Sequence, residues 1–286
     1  MSERKWLTET AFGGARLSFE VARVLHQEHS AQQRVDLIEN PMFGKVLMLD
    51  GATQLTSADE FIYHEMMAHV PILAHGAARD IMIIGGGDCG LAEEVLKHRG
   101  VADLTQVELD AAVVEFARTH FSEINAAVFS DNRFHLEIGD GAAFVAGTSR
   151  RFDIILVDST DPIGAGAALF TEAFYHNLRR CLKAGGIVVT QSGVPFMQRE
   201  EFTTSMRNLS RAFAIASCYV VAVPTYFGGH MALGWASMDR KPLDVSLDTL
   251  TGRVGDLDTR YYTPEVHLAA FALPRYIAKA SDAATA

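Results

Sequence analysis

The sequence predicts an α/β protein: a doubly wound, largely parallel sheet with a small N-terminal antiparallel β domain attached. Three observations carry that expectation. Ile81-Met-Ile-Ile84 is a short apolar run that opens onto glycines and then onto a helical stretch from Leu91 to His98. Strand-like and helical segments alternate over the following hundred or so residues, the pattern of a parallel sheet. Before about residue 60, strand-like pieces are separated only by turns, the pattern of hairpins.

Taken in order, the N-terminal strands are Leu17-Ser-Phe-Glu-Val21, Arg34-Val-Asp-Leu-Ile-Glu39, Lys45-Val-Leu-Met-Leu49 and Thr53-Gln-Leu-Thr56. Asn40-Pro41 and Asp50-Gly51 supply turns between them. From Asp59 to His75 the pattern becomes helical, with Phe61, Met66, Met67 and Val70 apolar and Pro71 near the end. Strands follow at 81–84, 104–108, 134–138, 153–158 and 187–191, with helices at about 90–99, 111–120, 141–146 and 172–182. A helix at about 198–213 then leads to Cys218–Val223 and Met231–Ala236, read as an antiparallel pair closing the sheet. The domain limits expected are 1–60 and 61–280, with Ser281–Ala286 as a disordered tail.

Composition narrows the function classes. The chain has 286 residues, 49% hydrophobic and 21% charged, which suits an ordinary globular protein with a large core. A net charge of −10 disfavours nucleic acid and anionic membranes as partners and eases the approach of a polycation. Cys89, Cys181 and Cys218 form no C-x-x-C and suit a reducing compartment. The longest apolar run, Ala214–Pro224, is too short to span a bilayer, and Met1–Lys5 leads into no signal-peptide core, so a cytoplasmic location is expected.

The chemistry is expected outside the carboxyl ends of the strands. Gly85, Gly87 and Gly90 satisfy G-x-G-x-x-G, a turn that lets backbone N–H groups approach a ligand closely. Asp88 sits inside that turn, where its charge repels phosphate and invites a cation. Glu108 ends the second strand and suits two ribose hydroxyls, which NAD would also offer; a solvated strand-end carboxylate is the plainer reading. Asp140-Gly141 is placed for an adenine amino group, or Asp140 caps a helix. The fourth strand ends in Asp158-Ser-Thr-Asp-Pro-Ile-Gly164, whose two carboxylates suit an amine, or else Asp158 caps the next segment and Asp161 opens a turn with Pro162.

Other signals are weaker. His64 and His69 are five apart, so on a helix they diverge by about 140° and do not share a metal. His64 is a pocket residue or a satisfied histidine. Cys89 lies at a helix N-terminus, which lowers a thiol pKa, but with no base beside it packing explains it better than nucleophilic chemistry. Tyr226-Phe-Gly-Gly229 forms a lid, an aromatic wall or simply a turn.

Together these residues resemble the spermidine synthase family of polyamine aminopropyltransferases, from about Trp6 to Tyr276. The blocks that carry the resemblance are Gly44-Lys-Val-Leu-Met-Leu-Asp-Gly51, Asp59-Glu-Phe-Ile-Tyr-His-Glu-Met66, Gly85-Gly-Gly-Asp88, Asp158-Ser-Thr-Asp-Pro-Ile-Gly164, Leu169-Phe170 and Pro224-Thr-Tyr-Phe-Gly-Gly229. The resemblance implies a Rossmann-like, methyltransferase-type sheet, decarboxylated S-adenosylmethionine as aminopropyl donor and putrescine as acceptor, with spermidine and 5′-methylthioadenosine as products. By position it assigns Gln33, Asp88, Glu108, Asp140, Gly141 and Ala165 to the donor. It assigns Gln54, Tyr63, His64, Asp88, Asp158, Ser159, Thr160, Asp161 and Tyr226 to the polyamine, with Asp158 as proton acceptor. It implies no metal and no cofactor beyond the co-substrate, and a homodimer or homotetramer. Cys89 and Ala165 depart from the family's usual Gly and Pro. The competing readings are an amine methyltransferase using S-adenosylmethionine, an NAD-dependent oxidoreductase and a non-catalytic polyamine-binding protein.

Overall fold

The computed structural model describes residues 4–9, 14–29, 34–160 and 164–285. At the N-terminus, β1 (Trp6–Glu9) pairs with β2 (Leu17–Glu20), and β3 (Arg23–His29), β4 (Arg34–Asn40), β5 (Gly44–Leu49) and β6 (Ala52–Thr56) form an antiparallel sheet in chain order. Asp50 and Gly51 both adopt positive φ, 51° and 79°, the mirror-image two-residue turn that matches strand twist and selects Asp-Gly. Alternation along β4 and β5 buries both faces: Ile38, Val46 and Met48 pack with Phe19, while Val35, Leu37 and Leu47 pack with Phe121 and Ile124. The sequence pattern misses β1 and β3. Trp6 is exposed, and β3 is a polar edge strand, Arg-Val-Leu-His-Gln-Glu-His, without apolar alternation.

The helix α1 (Glu60–His75) is buried on nearly every side, so it lies inside the molecule and has no polar face. It continues one turn past Pro71 and stops at Gly76, whose φ of 75° and N–H bond to the Ile72 carbonyl close it. The alternating region then runs β7 (Asp80–Gly85), α2 (Gly90–Leu96), β8 (Asp103–Glu108), α3 (Ala111–His120), the single turn α4 (Ser122–Asn125), β9 (Phe134–Ile138), α5 (Gly141–Gly147), β10 (Phe152–Asp158), α6 (Glu172–Arg180), β11 (Leu182–Gln191), α7 (Arg199–Ala212), β12 (Ile215–Val221) and β13 (Met231–Ser237). Three helices finish the chain: α8 (Leu247–Val254), α9 (Pro264–Ala270) and α10 (Arg275–Thr285).

These strands make one seven-stranded sheet in the order β12-β13-β11-β10-β7-β8-β9. It is parallel from β11 to β9, and β13 joins β11 antiparallel, as the sequence reading of a closing pair anticipates. Because β7 is buried on both faces, its Ile-Met-Ile-Ile run reads as continuous, not alternating: Ile81 and Ile83 face α1 and α2, and Met82 and Ile84 face α6 and α7. After β7 the chain winds outward through β8 and β9, then returns to the other side of β7 as β10 and β11. The carboxyl ends of β7 and β10 therefore form the topological switch, with Asp158 in register with Gly85.

The expected tail is corrected. Residues 281–285 continue α10, because Ile277, Ala280, Ser281 and Ala284 are buried against the face built by α7. Ala286 lies outside the described residues. No described helix is long and apolar enough to cross a membrane.

Candidate active site

The switch point sets the glycine turn beside the end of β10. The Gly86 N–H donates to the Asp158 carbonyl at 2.9 Å, and a Cβ on Gly85, whose φ is 83°, would stand 2.1 Å from that oxygen. Only glycine fits there. Gly90 has a different reason: a Cβ would come within 2.6 Å of the His64 ring. The turn is braced by Gln106, whose amide donates to the Gly85 and Gly86 carbonyls at 2.9 and 2.6 Å, and by Asn125, which donates to the Asp88 carbonyl at 2.8 Å. Neither residue is in the sequence-based site. Gln106, fully buried in the middle of β8 beside the equally buried Thr105, carried a readable signal.

Around this turn the structure gathers Tyr63, His64, Asp88, Asp158 and Tyr226. Tyr63 donates to Asp158 Oδ1 at 2.8 Å, while the Tyr63 and Tyr226 rings meet edge to face at 5.8 Å. The Tyr226 hydroxyl donates to the Gln54 carbonyl at 2.8 Å, tying the loop after β12 to β6. Asp59 makes the same junction deeper down, accepting from Thr56 Oγ1 at 2.6 Å and from the Thr225 N–H and hydroxyl at 2.9 and 2.7 Å. His64 is enclosed, with Nδ1 2.8 Å from Glu60 and Nε2 3.5 Å from Asp88. Burial disfavours its charge, but Asp88, Glu60 and Asp158 outweigh that and raise it to about 10.

Asp158 is pushed up to about 6, first by burial and then by the Asp88 charge, against the opposing pull of His64 and the Tyr63 hydrogen bond. One ligand atom each from His64, Asp88 and Asp158 lies within 4.8 Å of the others. That spacing suits a metal or an ammonium group. Either cation would have its charge answered by the two carboxylates, and protonation of His64, favoured by the carboxylates around it, competes with metal ligation there.

Glu108 stands on the other flank of the turn, its Oε2 3.2 Å from where a Gly87 Cβ would be, and its Oε1 accepts the Asp110 N–H at 2.9 Å. Burial raises it to about 7. Asp140 caps α5, Oδ1 accepting from Ala142 and Ala143 N–H at 2.7 and 3.2 Å, and Gly141 lets α5 approach Ile84, which a Cβ would meet at 2.4 Å. The helix-cap reading of Asp140 is thus observed.

Ser159 is half-buried with its hydroxyl unpaired, and Thr160 is exposed. Gln33 and Asp161 lie outside the described residues; Ala165 has only its backbone described, in the short 3-10 helix Gly164–Phe170. The packing reading of Cys89 holds: the thiol is fully buried beside Asp88 and Glu108, and burial first, then those charges, drive its pKa up, against the lowering that a helix N-terminus alone gives. Its φ of 61° is the left-handed conformation that glycine adopts freely, so the departure from glycine costs backbone strain.

Two family models match the chain: the spermine/spermidine synthase domain over residues 60–246 and the spermidine synthase tetramerisation domain over residues 5–57. The chain belongs to the spermidine synthase family of polyamine aminopropyltransferases. This transferase is 49% identical to the polyamine aminopropyltransferase of a Ruegeria species, covering 98% of this chain and 99% of the relative. It is 48% identical to polyamine aminopropyltransferase 1 of Pseudomonas aeruginosa, covering 95% and 96%. Among solved structures, a spermidine synthase in complex with the transition state analogue AdoDATO superposes with a TM-score of 0.93 at 37% identity, covering 98% of this chain and 95% of that one. The spermidine synthase of Thermotoga maritima gives 0.89 at 35% identity, covering 97% and 94%. The fold expectation is met throughout the aminopropyltransferase's sheet.

Proposed function

We propose that this aminopropyltransferase moves the aminopropyl group of decarboxylated S-adenosylmethionine to putrescine, giving spermidine and 5′-methylthioadenosine. The observation that carries the reading is the pair of carboxylates, Asp88 and Asp158, at the switch point beside a nucleoside-sized turn. Decarboxylated donor presents only a cation to Asp88, whereas the ordinary donor adds a carboxylate that Asp88 repels. Glu108 takes the ribose, with the adenine beyond it near Asp140, Gly141 and Ala165, and Gln33 near the sulfur. Gln54, Ser159, Thr160, Asp161, Tyr63, His64 and Tyr226 line the diamine's path.

In the reaction the unprotonated acceptor nitrogen attacks the methylene carbon next to the sulfonium. A C–N bond forms, the C–S bond breaks with its electron pair going to sulfur, and the leaving thioether is neutral. Asp158 receives the nitrogen's proton. An ordinary carboxylate is a poor base for an amine of pKa about 10.4. Raising Asp158 to about 6 brings the two closer by on the order of 3 kcal/mol. Tyr63 holds Asp158 Oδ1 and so fixes the direction in which the base points. No step calls for a metal or a resident cofactor. We take the enzyme to be cytoplasmic and a homodimer or homotetramer assembled through its N-terminal β region.

Incubation with putrescine and either donor tests the reading: methylthioadenosine and spermidine are expected from the decarboxylated donor, and adenosylhomocysteine from the ordinary one would replace it with a methyltransferase. For Asp88→Asn the preference for decarboxylated over ordinary donor is expected to fall roughly 10²-fold, measured as competing inhibition constants. An unchanged preference would remove Asp88 from donor selection.

A pH dependence follows from Glu108. Ribose hydroxyls donate to the ionised carboxylate, and protonation removes an acceptor. Methylthioadenosine, which has no charge near pH 7, is therefore expected to bind more weakly as pH falls below about 7, approaching tenfold per pH unit. Glu108→Gln should flatten that profile; a wild-type profile that is flat from pH 5 to 8 would refute the assignment.

A further inference from the structure

A second concavity lies at the opposite edge of the sheet, where the parallel strands begin. The length of β7 separates the two edges by roughly 20 Å. This cavity measures about 480 Å³, within the range of small-molecule sites. Its wall carries three cations, Arg240, Lys241 and Arg253, and two carboxylates, Asp239 and Asp244.

The carboxylates are engaged by neighbouring backbone N–H groups and a hydroxyl. Asp239 accepts the Gly185 N–H at 3.2 Å and lies 3.4 Å from the Ser237 hydroxyl, and Asp244 accepts the Lys241 N–H at 3.0 Å. The cations are not paired: among the described residues, none of the three forms a salt bridge. Arg240 Nε is buried with no hydrogen-bond partner, an orphaned charged donor that costs free energy unless something answers it. Arg253 is fixed in place by donating to the Leu73 and Ala74 carbonyls at 2.6 and 3.0 Å, at the end of α1. Two glycines leave room for these heads, since a Cβ on Gly185 would stand 3.1 Å from Arg240 Nε and one on Gly76 would stand 2.2 Å from Arg253 Cζ. The potential is positive enough to be felt next door: His75 is held below its usual range by burial and then by Arg240, with Arg253 and Lys183 adding to it and Asp153 opposing.

We infer that this cavity binds a compact oxyanion, a phosphate- or carboxylate-bearing small molecule, gripped by Arg240 with Lys241 and Arg253. Guanidinium groups match planar oxyanions through parallel N–H donors. The catalytic edge does not compete for such a ligand, because Asp88, Glu108, Asp158 and Glu60 repel anions there.

Thermal unfolding of the full chain tests this, with inorganic pyrophosphate and citrate as probes and sodium chloride at matched ionic strength as reference. At least one probe is expected to raise Tm by about 3 °C or more, and which one does so separates phosphate from carboxylate recognition. Arg240→Gln should abolish the shift while leaving aminopropyl transfer unchanged. Lys241→Gln, an exposed change that leaves the fold intact, should raise the half-saturating concentration about tenfold. Arg211→Gln, which removes an equal charge from α7, away from the cavity wall, should keep the full shift. No shift beyond that in chloride, or an equal shift in Arg240→Gln and Lys241→Gln, overturns the site.

Discussion

Asp158→Asn is expected to lower turnover by about 10²–10⁴-fold while methylthioadenosine binds as it does to the wild type. The amide keeps the shape of the side chain and the Tyr63 contact but does not accept the amine's proton. Unfolding does not account for the loss. Burial and Asp88 both resist ionisation of Asp158, so the wild-type protein loses stability as pH rises from the ordinary carboxylate range through about 6. The neutral amide escapes that loss, and the Tm of the variant should equal or exceed wild type above pH 6. Single-turnover rates with saturating donor check the first statement, and a variant with wild-type turnover would dismiss Asp158 as the base.

Gly85→Ala carries the second large effect, on stability. The added methyl group would sit 2.1 Å from the Asp158 carbonyl, on a backbone with φ of 83°. Overpacking and a left-handed alanine each cost roughly 1–3 kcal/mol, and in a chain of 286 residues they should together lower Tm by roughly 3–10 °C. Moving the carbonyl away would break its bond with the Gly86 N–H and uncouple β10 from the turn. Thermal unfolding at pH 7 measures this; a drop under 3 °C would mean that the turn is not rigidly held by the strand.

Why some of this was legible and some was not follows from which interactions are local. The Ile81–Ile84 strand announces itself as a continuous apolar run, α1 as a long apolar stretch between Asp59 and Gly76, and the glycine turn and the Asp50-Gly51 hairpin through turn chemistry. The strand β3 does not, because an edge strand with polar residues lacks the alternation that marks burial. The helices α8 and α9 do carry start signals, the caps Ser246 and Thr263 with Pro264 behind the latter, that the sequence reading leaves unused, whereas α10 owes its final turn to packing on α7. At the site, Asp88 and Asp158 were readable because a carboxylate at a strand end needs a reason. Asn125 and Asp59 escape notice because their partners are backbone atoms distant in sequence, which spacing cannot reveal, whereas Gln106 carries a local signal as a polar residue inside a buried strand. Cys89 reads as a packing residue and is one: burial first, then the charges of Asp88 and Glu108, override the acidity that a helix end lends a thiol.

The helix α1 that supplies Tyr63 and His64 also carries Glu65, which is fully buried and accepts N–H groups from Arg260, Tyr261 and Tyr262 at 2.7–2.8 Å. Those partners follow it by 195 to 197 residues. On the ribosome, then, the carboxylate at the heart of the catalytic helix lacks its hydrogen-bond donors until nearly the whole chain has emerged. Synthesis order therefore makes completion of the active-site scaffold one of the last events, and a chain cut short before residue 260 leaves that carboxylate stranded in the core.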